Sequence, residues 1–263
     1  EIDASESSQF ISALMLVGAK FKNGITIKHV GENLPSLPHI QMTIEMLKEV
    51  GVITNQIDKA IWKIDNQEIK SKDWKIEPDL SNAGPFLAAA MVTNGEVRIK
   101  DWPAQTTQAG NAWIEILTLM GADIQLNSND LILKNNSEIR GIKYNLQDVG
   151  ELTPVLVAIS LFANSKSEFS GISHLRGHET DRLAALVENI NSIGGDAKET
   201  QDGLIITPKE LHGGIWKAFD DHRMATAGAV IGLKVKDIYV DDIATTSKTL
   251  PNFEKMWHKM VNL

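Results

Sequence analysis

A chain of 263 residues, 43% hydrophobic and 23% charged, holds enough apolar material for one large or two modest cores and has an ordinary globular composition. Its net charge of −8 excludes a nucleic-acid binder working through a basic face, although a few local arginines can still dominate the field of a cleft. With no cysteine there can be no disulfide, thiolate nucleophile or thiolate metal site, which fits a cytoplasmic protein.

The longest apolar stretches, 85–92 and 152–163, fall short of the roughly 20 residues that span a bilayer. Glu1-Ile2-Asp3 carries no signal-peptide features and, lacking Met, does not read as the natural start of a protein.

In chain order, the pattern predicts a small-residue-rich apolar helix over 9–19 and a strand over 25–30, then an amphipathic helix over 39–50 closed by Gly51. The same pair of units recurs. A compact helix over 84–92 runs into a strand over 97–101, and an amphipathic helix over 111–120 ends at Gly121. Strands 123–126 and 131–134 then flank the turn-like Asn127-Ser128-Asn129-Asp130. A third copy has helix 153–162, strand 167–172, helix 181–193 closed by Gly194, and strands 197–200 and 204–207 around Gln201-Asp202-Gly203, where Asp-Gly signals a hairpin. A fourth compact helix, 223–231, leads to a strand over 237–243, a small polar loop and a helix over 252–260. The three glycines sit where left-handed C-caps are expected, at intervals of 70 (121 − 51) and 73 (194 − 121) residues.

The compact helices are apolar nearly all round, so burial is expected for all four. The fold class is α/β, built from repeated helix-and-sheet units. A boundary near 76–80 divides a partial first domain, 1–78, from a second domain of three units, 79–263.

Several segments at helix starts carry chemistry. His178-Glu179-Thr180-Asp181-Arg182 opens the helix over 181–193, where backbone N–H groups, the dipole and Arg182 can grip an anion, with Arg176 nearby. A plain cap, with Glu179 and Asp181 paired to the arginines, fits the same residues. Asp221-His222-Arg223 opens the fourth compact helix and reads either as a second anion grip or as an internal Asp–Arg pair.

Lys248 lies in Ser247-Lys248-Thr249-Leu250-Pro251, in a loop equivalent to that of Arg182, to 104–108 and to 33–38 with its Ser36; such loops would meet at one end of the structure. Ser7-Ser8-Gln9 precedes the first compact helix and serves either as a cap or to recognise a phosphate or hydroxyl. Glu151 heads the third, where its carboxylate could act as a base toward a hydroxyl. The histidines lack metal-site spacing, and no nucleotide-binding glycine loop is present, so neither metal nor cofactor is expected.

Together, Ser7-Ser8-Gln9, Leu175-Arg176-Gly177-His178-Glu179-Thr180-Asp181-Arg182, Asp221-His222-Arg223-Met224-Ala225 and Ser247-Lys248-Thr249-Leu250-Pro251 resemble the enolpyruvylshikimate-phosphate synthase family over essentially the whole chain. The resemblance implies two domains of βαβαββ units, an inside-out α/β barrel of the enolpyruvyl transferase type, closing over a cleft. It implies transfer of the enolpyruvyl group of phosphoenolpyruvate to the 5-hydroxyl of shikimate 3-phosphate, a step toward aromatic amino acids and the target of glyphosate.

Carried over by residue, Ser7, Ser8, Gln9 and Ser36 bind shikimate 3-phosphate. Arg182, Arg223 and Lys248 hold phosphoenolpyruvate, with Gln9 shared. Glu151 takes the hydroxyl proton, and Glu179 and Lys248 are candidates for protonating the methylene carbon. Substitution of Arg182 or Arg223 by alanine is expected to abolish phosphoenolpyruvate binding and leave the fold intact.

The family usually has Asp where Glu151 stands, Lys where His178 stands and Asn where His174 stands; both histidines count among the substrate-binding positions. Family members carry a long further segment ahead of Glu1, so the chain alone is expected to be inactive or to need a separate N-terminal piece. The sister enzyme acting on UDP-N-acetylglucosamine is the nearest enzymatic alternative, disfavoured by Glu-Thr-Asp-Arg and Asp-His-Arg-Met. A non-catalytic fragment is disfavoured by the retention of Glu151, Arg182 and Lys248.

Overall fold

The computed structural model describes residues 1–127 and 129–261, and the chain divides into two compact units: Glu1–Glu77 with Gln105–Ala109, and Pro78–Ala104 with Gly110–Leu263. Gln105–Ala109 groups with the first unit through Thr106 Oγ1 and Gln108 Nε2, which donate to Glu77 Oε2 at 2.9 and 2.8 Å. Among the described residues no helix is long and apolar enough to cross a membrane.

The first unit runs α1 (Gln9–Gly18), β1 (Ile25–Lys28), α2 (Leu37–Glu49), β2 (Thr54–Asp58) and β3 (Ile61–Ile64). Its antiparallel sheet has the order β1-β3-β2, with Ile25 opposite Ile64 and Ile27 opposite Trp62. Ile11, Met15, Ile40, Leu47, Trp62 and Ile64 form its core. Thr43 Oγ1 donates to Ser12 Oγ at 3.0 Å and ties α2 to α1.

The expected all-round burial fails at α1. Only Ile11, Met15 and Gly18 are buried, while Phe10, Leu16 and Val17 are 46%, 52% and 48% exposed. Within its unit α1 has one helix and one small sheet to pack on, which cover a single face.

The second unit runs α3 (Gly84–Thr93), β4 (Glu96–Ile99), α4 (Trp113–Leu119), β5 (Asp123–Asn127), β6 (Asp130–Lys134), β7 (Lys143–Asn145), α5 (Thr153–Ser160), β8 (Ser167–Ser170), α6 (Arg182–Ser192), β9 (Asp196–Glu199), β10 (Leu204–Thr207), β11 (Gly214–Trp216), α7 (His222–Ile231), β12 (Ile238–Val240) and α8 (Phe253–Val261). Its sheets are β4-β6-β5, β7-β8-β10-β9 and β11-β12, the pairs β7–β8 and β11–β12 being parallel. Both expected hairpins form. Asn127 pairs with Asp130, although Ser128 of that turn lies outside the described residues, and Leu204 pairs with Glu199.

The other three compact helices are buried as expected. α3, α5 and α7 pack on one another, with Leu87, Met91, Leu156, Ile159, Met224 and Ala227 enclosed. Each large apolar side chain so buried contributes about 1.5–3 kcal/mol. A small residue also lets α3 approach α4: a Cβ on Gly84 would come within 2.5 Å of the Trp113 ring. The amphipathic helices end as the spacing predicts, with Gly51, Gly121 and Gly194 at φ of +83°, +110° and +87°, where a side chain would be strained.

Candidate active site

Three buried helices of the second unit bring their N-terminal ends together. Asp79-Leu80-Ser81-Asn82 precedes α3, a 3-10 turn, Gly150–Leu152, carries Glu151 into α5, and Asp221 caps α7. Ser81 Oγ donates to Glu151 Oε1 at 3.3 Å, which joins the first two ends. The charges of Glu151 and Asp79 both act on Arg223 at the third.

The cap of α6 is Asp181, whose Oδ1 accepts from the backbone N–H groups of Leu183 and Ala184, both at 3.1 Å. Its other oxygen takes Arg176 at 3.4 Å, and Arg176 also pairs with Glu199. Arg176 therefore serves the cap.

Arg182 turns inward and is 2% exposed. Its Nε donates to Asp221 Oδ2 at 2.7 Å, while Nη2 donates to Asp221 Oδ1 at 3.3 Å and Glu179 Oε2 at 3.0 Å. Asp221 is fully enclosed and also accepts from the backbone N–H of Arg223 at 2.8 Å. The internal Asp–Arg pair therefore runs from Asp221 to Arg182, across 39 positions of sequence, rather than to its neighbour Arg223.

Arg223 is the contrasting arginine. Among the described residues no hydrogen bond or ion pair engages its guanidinium. Burial lowers its proton affinity, as does the charge of Arg182, while the carboxylates of Glu151, Asp79 and Asp221 hold the charge in place. A guanidinium with its donors uncommitted can take both oxygens of a carboxylate or phosphate.

Lys248 meets Glu179: its Nζ donates to Glu179 Oε1 from 69 residues away. The expectation that the loops of Arg182 and Lys248 converge is therefore met, but Lys248 closes a 3-10 turn, Ile243–Lys248, instead of lying in an irregular loop. Asp242 starts that turn by accepting from Ala244 N at 3.0 Å, so the ammonium is held on a short ordered element. Burial would raise the Glu179 pKa, but Lys248, its own backbone N–H and Arg182 outweigh it and bring the carboxyl to about 2.

Three histidines surround these charges. His178 Nδ1 lies 3.3 Å from Arg182 Nη1; a guanidinium only donates, so Nδ1 accepts and the proton of the neutral ring sits on Nε2. Partial burial and then the Arg182 charge lower the pKa of this ring. His174 and His222 are each brought down to about 4. Burial is the leading cause for both, followed by His178 and Arg182 for His174 and by Arg223 for His222. His174 Nε2 and both ring nitrogens of His222 are buried without a hydrogen-bond partner among the described residues, although His222 Nδ1 lies 3.9 Å from Asp221 Oδ1.

These two rings stay neutral in the fold to about pH 4, while in the unfolded chain they charge below about 6.5. The unfolded state thus binds more protons between those values, and stability falls as pH drops through that window. Thermal melts between pH 7 and 4 should show the decline, with a shallower slope in His222→Gln; parallel slopes would refute the assignment.

In the first unit, Ser7, Ser8 and Gln9 stand at the start of α1 and Ser36 at the start of α2. Ser7 Oγ accepts from Gln9 N at 3.2 Å. Ser8 is 3% exposed and makes no side-chain cap. Ser36 sits at φ 54°, ψ 44°, left-handed backbone that a serine adopts at some cost, and its hydroxyl makes no cap bond either.

The Asp79–Asn82 turn escaped the sequence reading, although it stands before α3 where Ser7-Ser8-Gln9, Glu151 and Asp221-His222-Arg223 stand before their helices. The repeat itself was the available signal.

Known proteins resemble this chain in sequence and in fold. The family model for EPSP synthase (3-phosphoshikimate 1-carboxyvinyltransferase) matches residues 1–257. A 3-phosphoshikimate 1-carboxyvinyltransferase of Kocuria rhizophila is 48% identical over 261 residues, covering 99% of this chain and 59% of that protein. Among solved structures, EPSP synthase from Acinetobacter baumannii superposes with a TM-score of 0.76 at 21% identity, over 96% of this chain and 60% of that one. The enolpyruvyl transferase NikO from Streptomyces tendae gives 0.74 at 14% identity, over 98% and 60%. The chain thus spans about three-fifths of the length of these relatives. With the family model running over nearly every residue, and the fold shared with solved enolpyruvyl transferases, the chain belongs to the EPSP synthase family.

Proposed function

We propose that the protein transfers the enolpyruvyl group of phosphoenolpyruvate to the 5-hydroxyl of shikimate 3-phosphate in the cytoplasm, releasing phosphate. The observation that carries this reading is the partly buried Arg223 guanidinium, uncommitted among the described residues, in the same unit as the Lys248–Glu179–Arg182 chain of charges. Two strongly anionic substrates repel each other in water, and fixed cations offset that repulsion while orienting the reacting atoms.

In this reading Arg223, Lys248 and Arg182 hold phosphoenolpyruvate, with Gln9 shared. Ser7, Ser8, Gln9 and Ser36 hold shikimate 3-phosphate, and His178 offers its Nε2–H to a substrate oxygen. His174 is retained among the substrate-binding positions on the resemblance alone.

Glu151 accepts the proton of the 5-hydroxyl as that oxygen bonds to C2 of phosphoenolpyruvate, and the methylene carbon gains a proton. Loss of that proton from the carbon and departure of phosphate restore the double bond. Glu179, ionised down to about pH 2, starts the reaction without a proton to give. The ammonium of Lys248 is therefore the donor, Glu179 steers it, and the Lys248 amine takes back the proton lost from the carbon.

The test is phosphate release by the protein in its full natural length. Release is expected only when both substrates are supplied. No release with both, from folded protein, overturns the proposal.

A further inference from the structure

We propose that Ser81 is a positioning residue for Glu151, and that the turn before α3 exists to hold it there. The inference deepens the reading above, since it rests on Glu151 as the proton acceptor.

The geometry is specific. Ser81 Oγ lies 3.3 Å from Glu151 Oε1, across 70 positions of sequence, and neither side chain is free in solvent. An ionised carboxylate has no proton to share, so the hydroxyl donates and the carboxylate accepts.

The turn carrying Ser81 is itself fixed from both sides. Asn82 N and Nδ2 donate to Asp79 Oδ1 and Oδ2, both at 2.9 Å, which locks the turn internally. Asn82 Nδ2 also donates to the carbonyl of Thr249 at 3.2 Å, and Thr249 follows Lys248 directly. One short turn therefore grips the candidate base through Ser81 and the backbone beside the candidate acid through Asn82. Gly110 is packed against the same turn: a Cβ there would come within 2.4 Å of Ser81 N.

Behind Glu151 the support is equally tight. A Cβ on Gly150 would meet His174 Nε2 at 2.7 Å, so the backbone that carries the carboxylate is backed by a ring and cannot retreat. A glutamate side chain has several rotatable bonds, and therefore several carboxylate placements to suppress. A hydroxyl bound to Oε1 supplies that restraint without contacting the substrate.

The first experiment needs no turnover. In the glutamate-labelled chain, the Glu151 carboxyl carbon is assigned by its loss in Glu151→Gln and followed by NMR. Ser81→Ala should shift it and Ser81→Thr should restore it; an unmoved resonance in Ser81→Ala overturns the proposal.

The second uses the full-length enzyme. Ser81→Ala should lower kcat about 10-fold to 100-fold, the range expected for a hydrogen bond to a charged group, with KM for either substrate changed less than about 2-fold. Combined with Glu151→Gln, Ser81→Ala should add nothing further, because it acts through that residue. Additive losses, or equal losses in kcat and in melting temperature for Ser81→Thr, would make Ser81 merely structural and overturn the assignment. An inactive wild type would count against the proposed reaction, whereas the resonance alone decides for Ser81.

Discussion

Replacing Asp221 by alanine is expected to destabilise the larger unit by about 3–5 kcal/mol, the range seen when one partner of a buried ion pair is removed. Asp221 is fully enclosed and its two oxygens serve Arg182 Nε, Arg182 Nη2 and the backbone N–H of Arg223. Without it the guanidinium of Arg182, itself 2% exposed, keeps only Glu179 and His178 among the described residues. The substitution also uncaps α7, worth about 1 kcal/mol by itself. Denaturant unfolding followed by tryptophan fluorescence measures the loss, and a change below about 1 kcal/mol would contradict the described role.

The same pairing corrects an expectation. Arg182→Ala cannot be a quiet binding variant, because it strands the Asp221 carboxylate in the interior. Its effect on ligand affinity would be inseparable from its effect on folding.

Arg223→Ala is the clean counterpart, with the largest expected effect on binding. No hydrogen bond to protein is lost among the described residues. The removed charge was attracted by Glu151, Asp79 and Asp221 but penalised by burial and by Arg182, so stability should change by less than about 1 kcal/mol. Affinity for phosphoenolpyruvate should fall at least about 100-fold, as expected for two charge-assisted hydrogen bonds to one anion. Arg223→Lys should recover only part, since an ammonium keeps the charge but not the paired geometry. Calorimetry on folded variants decides it; undiminished affinity in Arg223→Ala would remove this residue from the site.

Much of the fold was legible because it rests on local rules. The cap glycines follow from backbone sterics, and the paired strands after Gly121 and Gly194 follow from turn residues between apolar runs. The half-exposed α1 was not legible. Phe10, Leu16 and Val17 look like the core residues of α3 or α5, and only the number of neighbouring elements separates them.

The site shows the same division. Helix-start positions were readable from the repeat, and Asp181 does what an Asp before a helix should. Partners were not readable. Asp221 beside Arg223 suggests a local pair, yet the side chain reaches Arg182, and Glu179 binds Lys248 from a different unit of the repeat. Ionisation followed the partners: a glutamate named as a possible acid lies between two cations that keep it charged.

The helices whose tips carry the site, α3, α5 and α7, begin at equal spacing along the chain and touch one another only in the finished unit. Each can coil within microseconds from local contacts, but each docking event must first close a long loop, whose entropy opposes it until the apolar faces meet. A chain with all its helices formed and α7 still undocked would keep the Ser81–Glu151 contact but lack the Asp221–Arg182 pair and the placement of Arg223. The complete cluster therefore depends on contacts between elements far apart in sequence, and forms only when all three helices have docked.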